Sequence, residues 1–351
     1  MADKTVLVTG ARGQIGRYVA QQFARTPGWR SIGLSRSAPE FDVDFEHLSV
    51  DLLDPKDCLE KICAISGVTH LVHAAFQPRG SDAETIAANV AMLANFIDGA
   101  EAASLSIEHV TLMTGARAYG SHLGRFKTPS EETDLTHFPP NFYFDMQRWL
   151  EARHAQGRKW RWTNLRPCVV MSVGIGSPYN LLNIIAVYAS IAKALGEPFR
   201  FPGNEAGYRR ITQALDAELL AEVCVWAAEE ERAHGEYFNV TNGDVYRTEH
   251  VWPDFAEWFG LPLGGIQKID LKTAMADKEP LWAEIVETHG LRKFTLEQFV
   301  YWPQGDSMFS RDWDDFHSTN KLRQFGFEGF RDTRKMFLRL FTEMRDLKII
   351  P

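Results

Sequence analysis

The chain has 351 residues, of which 45% are hydrophobic and 24% charged, with a formal net charge of −8. That composition fits a folded chain with room for two domains and excludes a disordered or collagen-like one. The acidic balance excludes a general attraction for nucleic acid or anionic lipid.

Residues Thr5-Val6-Leu7-Val8-Thr9 form an apolar run that predicts a buried parallel strand. The opening Met-Ala-Asp-Lys leads straight into it, the expected start of a cytoplasmic protein with no secretory leader. A glycine-rich turn follows, and Ile15, Val19 and Phe23 then recur at i, i+4 and i+8, one stripe of a helix. Further strands are predicted at 31–34, 48–51, 70–75 and 108–113, with helices near 55–64 and 87–98, the latter expected to stop at Gly99. A helix from Pro139 to about Gln156 precedes a sixth strand at 162–166. This alternation predicts an α/β fold, a doubly wound parallel Rossmann sheet with a smaller, mostly helical C-terminal lobe.

The second half changes character. Helices are expected near 180–195 and 215–230 around one more strand at 237–241, and 250–350 reads as mostly helical. The apolar stretch Leu181–Leu195 is shorter than the roughly 20 residues of a bilayer span, so it predicts a buried helix. Most of the 10 Trp, 9 Tyr and 23 Phe follow residue 140, which suits a rigid apolar pocket in that lobe. We expect residues 1–170 to bind the cofactor and 171–351 to bind substrate, with the strand near 237–241 returning to the sheet. The cysteines Cys58, Cys63, Cys168 and Cys224 lack CxxC spacing, and no His/Cys/Asp/Glu cluster suggests a metal.

The turn Gly10-Ala11-Arg12-Gly13-Gln14-Ile15-Gly16 lies between a predicted strand and a predicted helix. Glycines there let the backbone approach a pyrophosphate, and the helix N-terminus offers it free N–H groups. At the end of the second strand, where an NAD binder usually carries Asp or Glu, the chain has Ser35-Arg36-Ser37. A guanidinium grips a 2′-phosphate that a carboxylate would repel, so NADPH is the expected cofactor. Asp51 and Leu52 are candidates for the adenine, and Ala74, Ala75 and Phe76 for the ribose and nicotinamide path. Thr114, Gly115, Tyr143, Pro167 and Val170 complete the candidate cofactor set.

Strand five ends Met113-Thr114-Gly115-Ala116-Arg117-Ala118-Tyr119-Gly120, which resembles the Ser-Ser-x-x-x-Tyr-Gly pattern of extended short-chain dehydrogenases. Gly115 stands where that pattern has its catalytic Ser. The following helix has Tyr143 but carries Gln147 where the pattern Tyr-x-x-x-Lys has Lys. Asn141-Phe142-Tyr143 together with Thr114-Gly115-x-Arg117-x-Tyr119 resembles the progesterone 5β-reductase/iridoid synthase family. Blocks such as Arg166-Pro167, Phe238-Asn239-Val240-Thr241-Asn242-Gly243 and Lys278-Glu279-Pro280-Leu281-Trp282 extend the resemblance over nearly the whole chain.

The resemblance implies reduction by NADPH of the C=C bond of a small, hydrophobic α,β-unsaturated carbonyl compound. It implies Tyr143 as the group holding the carbonyl oxygen. Arg117 stands where the family has a Lys two residues after the Gly, and is the expected cation. Leu123, Phe142, Tyr208 and Phe337 are the pocket candidates, the last from the block whose aromatic lies over substrate in the family. The family includes dimers. Two other readings stand beside it: a carbonyl reductase or sugar-nucleotide epimerase of the extended class, and a non-catalytic NADP-binding redox sensor.

Overall fold

The computed structural model describes residues 4–103, 106–135 and 138–351. Residues 1–3, where the leaderless start was expected, lie outside them. The chain forms two compact units. The first comprises Met1–Cys168, Ala217–Thr241 and His317–Gly329, the second Val169–Asp216, Asn242–Phe316 and Phe330–Pro351.

The first unit is built on a seven-stranded parallel sheet. Its strands are β1 (Lys4–Thr9), β2 (Trp29–Ser35), β3 (Glu46–Ser49), β4 (Val68–His73), β5 (His109–Met113), β6 (Arg161–Pro167) and β7 (Glu236–Val240). They run in the order β7-β6-β5-β4-β1-β2-β3. Val6 pairs with Ser31 on one side and His70 on the other, so the chain order reverses at β1. The carboxyl ends of β1 and β4 flank that reversal, where open α/β sheets hold ligands.

Helices α1 (Gly16–Arg25), α2 (Pro55–Cys63), α3 (Asp82–Ala102) and α4 (Phe142–Ala155) connect the strands. In α1, Val19 and Phe23 of the expected stripe are fully buried, whereas Ile15 stands half-buried at the N-cap, before the helix. Pro55 and the Asp54 side chain, which accepts from the N–H groups of Lys56 and Asp57, fix the start of α2. Gly99 does not stop α3, which runs to Ala102. A Cβ at Gly99 would stand 3.2 Å from the Cys58 carbonyl of α2, so this glycine serves close helix packing.

In the second unit α5 (Leu181–Ala194) is buried almost all round, as the apolar stretch predicted. Helix α6 (Ala217–Glu229) belongs to the first unit and packs on α1. Helices α7 (Thr248–Phe259) and α8 (Thr333–Asp346) carry the aromatic core of the second unit. Trp252 stacks on Phe199 at 4.3 Å, and Phe255 meets Phe337 at 4.9 Å and Phe341 at 5.2 Å. Met336, Phe337, Leu340, Phe341 and Met344 of α8 are all buried; each contributes roughly 1.5–3 kcal/mol relative to exposure. No helix among the described residues is long and apolar enough to cross a membrane.

Candidate active site

The turn after β1 is folded on itself. The Gly13 N–H donates to the Gly10 carbonyl at 2.8 Å. A Cβ at Gly16 would lie 2.4 Å from that same oxygen, so only glycine lets α1 begin this close to the strand. Helix α1 has no side-chain cap and no acidic residue in its first turn. Its first N–H groups and dipole end thus fit an anion from outside the chain. Thr9, which the sequence did not single out, braces the neighbouring loop. Its hydroxyl accepts from the N–H groups of Ala74 (3.1 Å) and Ala75 (3.2 Å) and lies 3.1 Å from Nδ1 of His73. Burial pushes His73 down to about 3, so the ring is neutral and its Nδ1 can accept from the Thr9 hydroxyl.

At the end of β2, Arg36 is exposed and makes no ion pair among the described residues. Its surroundings are ordered. Ser35 donates to the Ser37 carbonyl at 2.9 Å, and Ser49 to the Arg36 carbonyl at 2.9 Å. Arg12 differs: its Nε donates to Glu40 at 2.7 Å. The Asp51 carboxylate accepts from the Leu53 N–H at 3.0 Å, and Leu52 is buried beside it.

Strand β5 runs into a short 3-10 turn, Ala116–Tyr119. The Thr114 hydroxyl bonds the Asn164 side chain of β6 at 2.6 Å. Gly115 faces the phenol of Tyr143: a Cβ on it would stand 3.1 Å from the Tyr143 hydroxyl. Asn141 holds the two elements together. Its Oδ1 accepts from the Tyr143 N–H (3.2 Å), capping α4, while its Nδ2 donates to the Arg117 carbonyl (3.1 Å). Burial pushes the Tyr143 phenol up, and the charge of Arg117 opposes that shift. Arg117 itself is exposed and makes no ion pair among the described residues.

Gln147, one turn beyond Tyr143, is held at both ends. Its Oε1 accepts from Arg166 Nη2 at 3.3 Å and its Nε2 donates to Glu151 at 3.0 Å. Arg166 is buried, donates to the Glu132 carbonyl at 2.9 Å and lies over the Tyr237 ring at 4.5 Å. Residues 143 and 147 therefore do not form an ammonium–phenol pair; a neutral amide fastens α4 to β6 instead.

Three aromatic rings stand in a row beside this site. Phe76, half exposed, stacks on Phe142 at 5.0 Å, and Phe142 meets Tyr143 at 4.2 Å. Arg117, His122, Asn141 and Phe142 line a small hollow with Asp82 and Thr85. Leu123 is exposed in the turn that follows Gly120. Pro167 ends β6. The remaining candidates belong to the second unit, where Val170 is buried and pairs with Leu215. Tyr208 lies against Phe201 at 4.9 Å, and Phe337 is fully buried and lines a cavity.

A parallel sheet that reverses its strand order beside a glycine-rich turn defines a protein of the Rossmann-fold class. Solved structures agree on the fold. One is a short-chain dehydrogenase/reductase superfamily protein from Agrobacterium tumefaciens with bound NAD (TM-score 0.67, 18% identity, 97% of each chain). Another is the UDP-N-acetylglucosamine 4-epimerase of Bacillus cereus (TM-score 0.66, 17% identity, 99% of each chain). Within that class, the PRISE-like Rossmann-fold domain model matches residues 46–351, and the chain belongs to this family. An (S)-8-oxocitronellyl enol synthase of Nepeta cataria is 32% identical, covering 98% of this chain and 91% of its own length. A 3-oxo-Delta(4,5)-steroid 5-beta-reductase of Arabidopsis thaliana is 29% identical, covering 99% and 93%.

Proposed function

We propose that this protein is an oxidoreductase that uses NADPH to reduce the C=C bond of small hydrophobic α,β-unsaturated carbonyl compounds. The observation that carries the reading is the phenol of Tyr143 standing against Gly115 with an amide, not an ammonium, at residue 147. Carbonyl reduction needs a proton delivered to an alkoxide; enone reduction needs only a donor that steadies charge on the oxygen. The names of the relatives, an enol synthase and a 3-oxo-steroid 5β-reductase, favour the second chemistry.

Bound in the turn after β1, NADPH would supply a hydride for the β-carbon of the substrate. The π electrons of the C=C bond then shift toward the carbonyl, and the negative charge on its oxygen is met by the Tyr143 hydroxyl. Arg117 adds positive potential from the turn that Asn141 ties to Tyr143. Solvent protonates the α-carbon, so no relay through residue 147 is required. The Gly10–Gly16 turn and the α1 N-terminus would hold the pyrophosphate, and Arg36 the 2′-phosphate. The apolar body of the substrate belongs to the C-terminal lobe.

The test follows NADPH consumption with 2-cyclohexen-1-one and cyclohexanone, with product identification. The expected result is cyclohexanone formed from the enone and no turnover of cyclohexanone itself. Tyr143→Phe is expected to lower kcat by about 10²–10³. Wild-type turnover in Tyr143→Phe, or turnover of the saturated ketone alone, overturns the reading.

A further inference from the structure

Burial raises the Tyr143 phenol, and Arg117 is the charge that opposes it. How strongly it does so depends on where its long side chain is held. The backbone of that turn is fixed, because the Arg117 carbonyl accepts from Asn141 Nδ2 at 3.1 Å and from the Gly120 N–H at 3.2 Å. The side chain itself is exposed and makes no ion pair among the described residues.

Arg117 lines the small hollow with Asp82 and Thr85 of α3. Asp82 is the one carboxylate, and Arg117 the one guanidinium, among its described lining residues. Asp82 too is exposed and makes no ion pair among the described residues. Two opposite charges thus share one hollow without touching. Its free space is that of about one water molecule. The Asp82 carboxylate, the Thr85 hydroxyl and the Arg117 guanidinium are polar partners enough for such a water to bridge the charges.

The wall that carries Asp82 is rigid. The Ser81 hydroxyl caps α3 by accepting from the Glu84 N–H at 3.3 Å, and the Thr85 hydroxyl accepts from the Arg79 N–H at 3.0 Å. The buried Asn89 clamps Gln77 by its N–H (3.0 Å) and its carbonyl (2.9 Å). A carboxylate on a fixed helix end can therefore hold a guanidinium that leaves a fixed turn.

We propose that Asp82 is a positioning residue for the reaction, its carboxylate holding the Arg117 guanidinium across the hollow through one shared water. This rests on the enone-reductase reading, in which Arg117 adds positive potential at Tyr143. The sign of the effect is diagnostic. Releasing Arg117 makes the Tyr143 phenol harder to ionise, whereas merely deleting a nearby negative charge makes it easier.

The experiment compares the full chain with Asp82→Asn, Arg117→Ala and the double variant. The first readout needs no turnover. Ionisation of Tyr143 is followed by ultraviolet absorbance from pH 8 to about pH 11, as the difference between each protein and the same protein carrying Tyr143→Phe. Its onset is expected at higher pH in Asp82→Asn and in Arg117→Ala than in the wild type, and no higher in the double variant than in Arg117→Ala. The second readout is turnover of 2-cyclohexen-1-one. Asp82→Asn is expected to lower kcat by about fivefold, the scale of an exposed charge pair, with KM for enone and NADPH kept within about twofold. In the Arg117→Ala background the same substitution should change kcat by less than about twofold. Asp82→Glu keeps the charge and should recover most of the loss. Glu84→Gln removes the other acidic residue in the first turn of α3, outside the hollow, and should move neither readout. An onset unchanged or earlier in Asp82→Asn, an equal fall of kcat with and without Arg117, or an equal effect of Glu84→Gln overturns the proposal. Absence of enone turnover defeats the functional reading alone, since the titration of Tyr143 still reports where Arg117 is held.

Discussion

Gly115 leaves room for the hydroxyl of Tyr143: the side chain it lacks would begin 3.1 Å from that oxygen. A serine there would crowd the phenol and compete for its hydrogen bond. Gly115→Ser is therefore expected to lower enone kcat by about tenfold or more, since small displacements of a reacting group carry large rate penalties. The KM for NADPH should change little. Steady-state kinetics with 2-cyclohexen-1-one checks both. Cyclohexanone should remain unreduced, because Gln147 still supplies no ammonium.

The phenol of Tyr143 is pushed up from its ordinary value by burial. A donor that acts while protonated gains nothing from deprotonation. The kcat for enone reduction should accordingly stay level from pH 6 to about pH 9, below the phenol's ordinary value near 10. A rise toward alkaline pH, measured by stopped-assay product formation, would instead mark a tyrosinate acting as base.

The Arg36 carbonyl is held by Ser49, and its side chain pairs with no carboxylate among the described residues. Arg36→Ala should raise the KM for NADPH by about 10- to 100-fold, the scale of a lost charge-assisted contact. The KM for NADH should be unmoved. Arg12→Ala, at a side chain already paired with Glu40, should separate the two less.

Asn141 caps α4 and bonds the Arg117 carbonyl with the same side chain. Asn141→Ala should destabilise the fold by about 0.5–2 kcal/mol, as lost caps do. It should also lower kcat more than it raises KM, since the Tyr143–Arg117 spacing depends on it. Asn141→Asp keeps the cap but loses the amide donor, so denaturation and kinetics together divide the two roles.

Burial holds histidines of the sheet neutral, among them His70, down to about 4, and His73, to about 3. Below the ordinary histidine value the unfolded chain binds protons that the folded chain refuses. Stability is therefore full above about pH 7 and falls as pH drops, by about 2 kcal/mol for each of the two between pH 7 and pH 5. Urea denaturation at the two pH values measures it. His73→Asn should flatten its share of the slope.

The strand–helix alternation was legible because each strand is a short apolar run and each helix an apolar stripe. The glycine-rich turn was legible because its residues are adjacent. Gly99 misled, since a glycine that admits a neighbouring helix reads in one dimension like a helix stop. The brace from Thr9 to the loop after His73 joins residues some 65 positions apart, and a lone Thr carries no mark of it.

The outermost strand of the sheet, β7, arrives only at Glu236–Val240, and the first unit also includes His317–Gly329. Ser130, for instance, hydrogen-bonds to Nδ1 of His317. During synthesis the first unit therefore cannot close until more than nine-tenths of the chain has left the ribosome. Until β7 has emerged, β6 is an open edge with unpaired backbone groups, an invitation to pair with another nascent chain. A fragment cut at residue 170 would keep that edge permanently. Expression of the isolated N-terminal half should thus yield aggregates where the full chain stays dispersed.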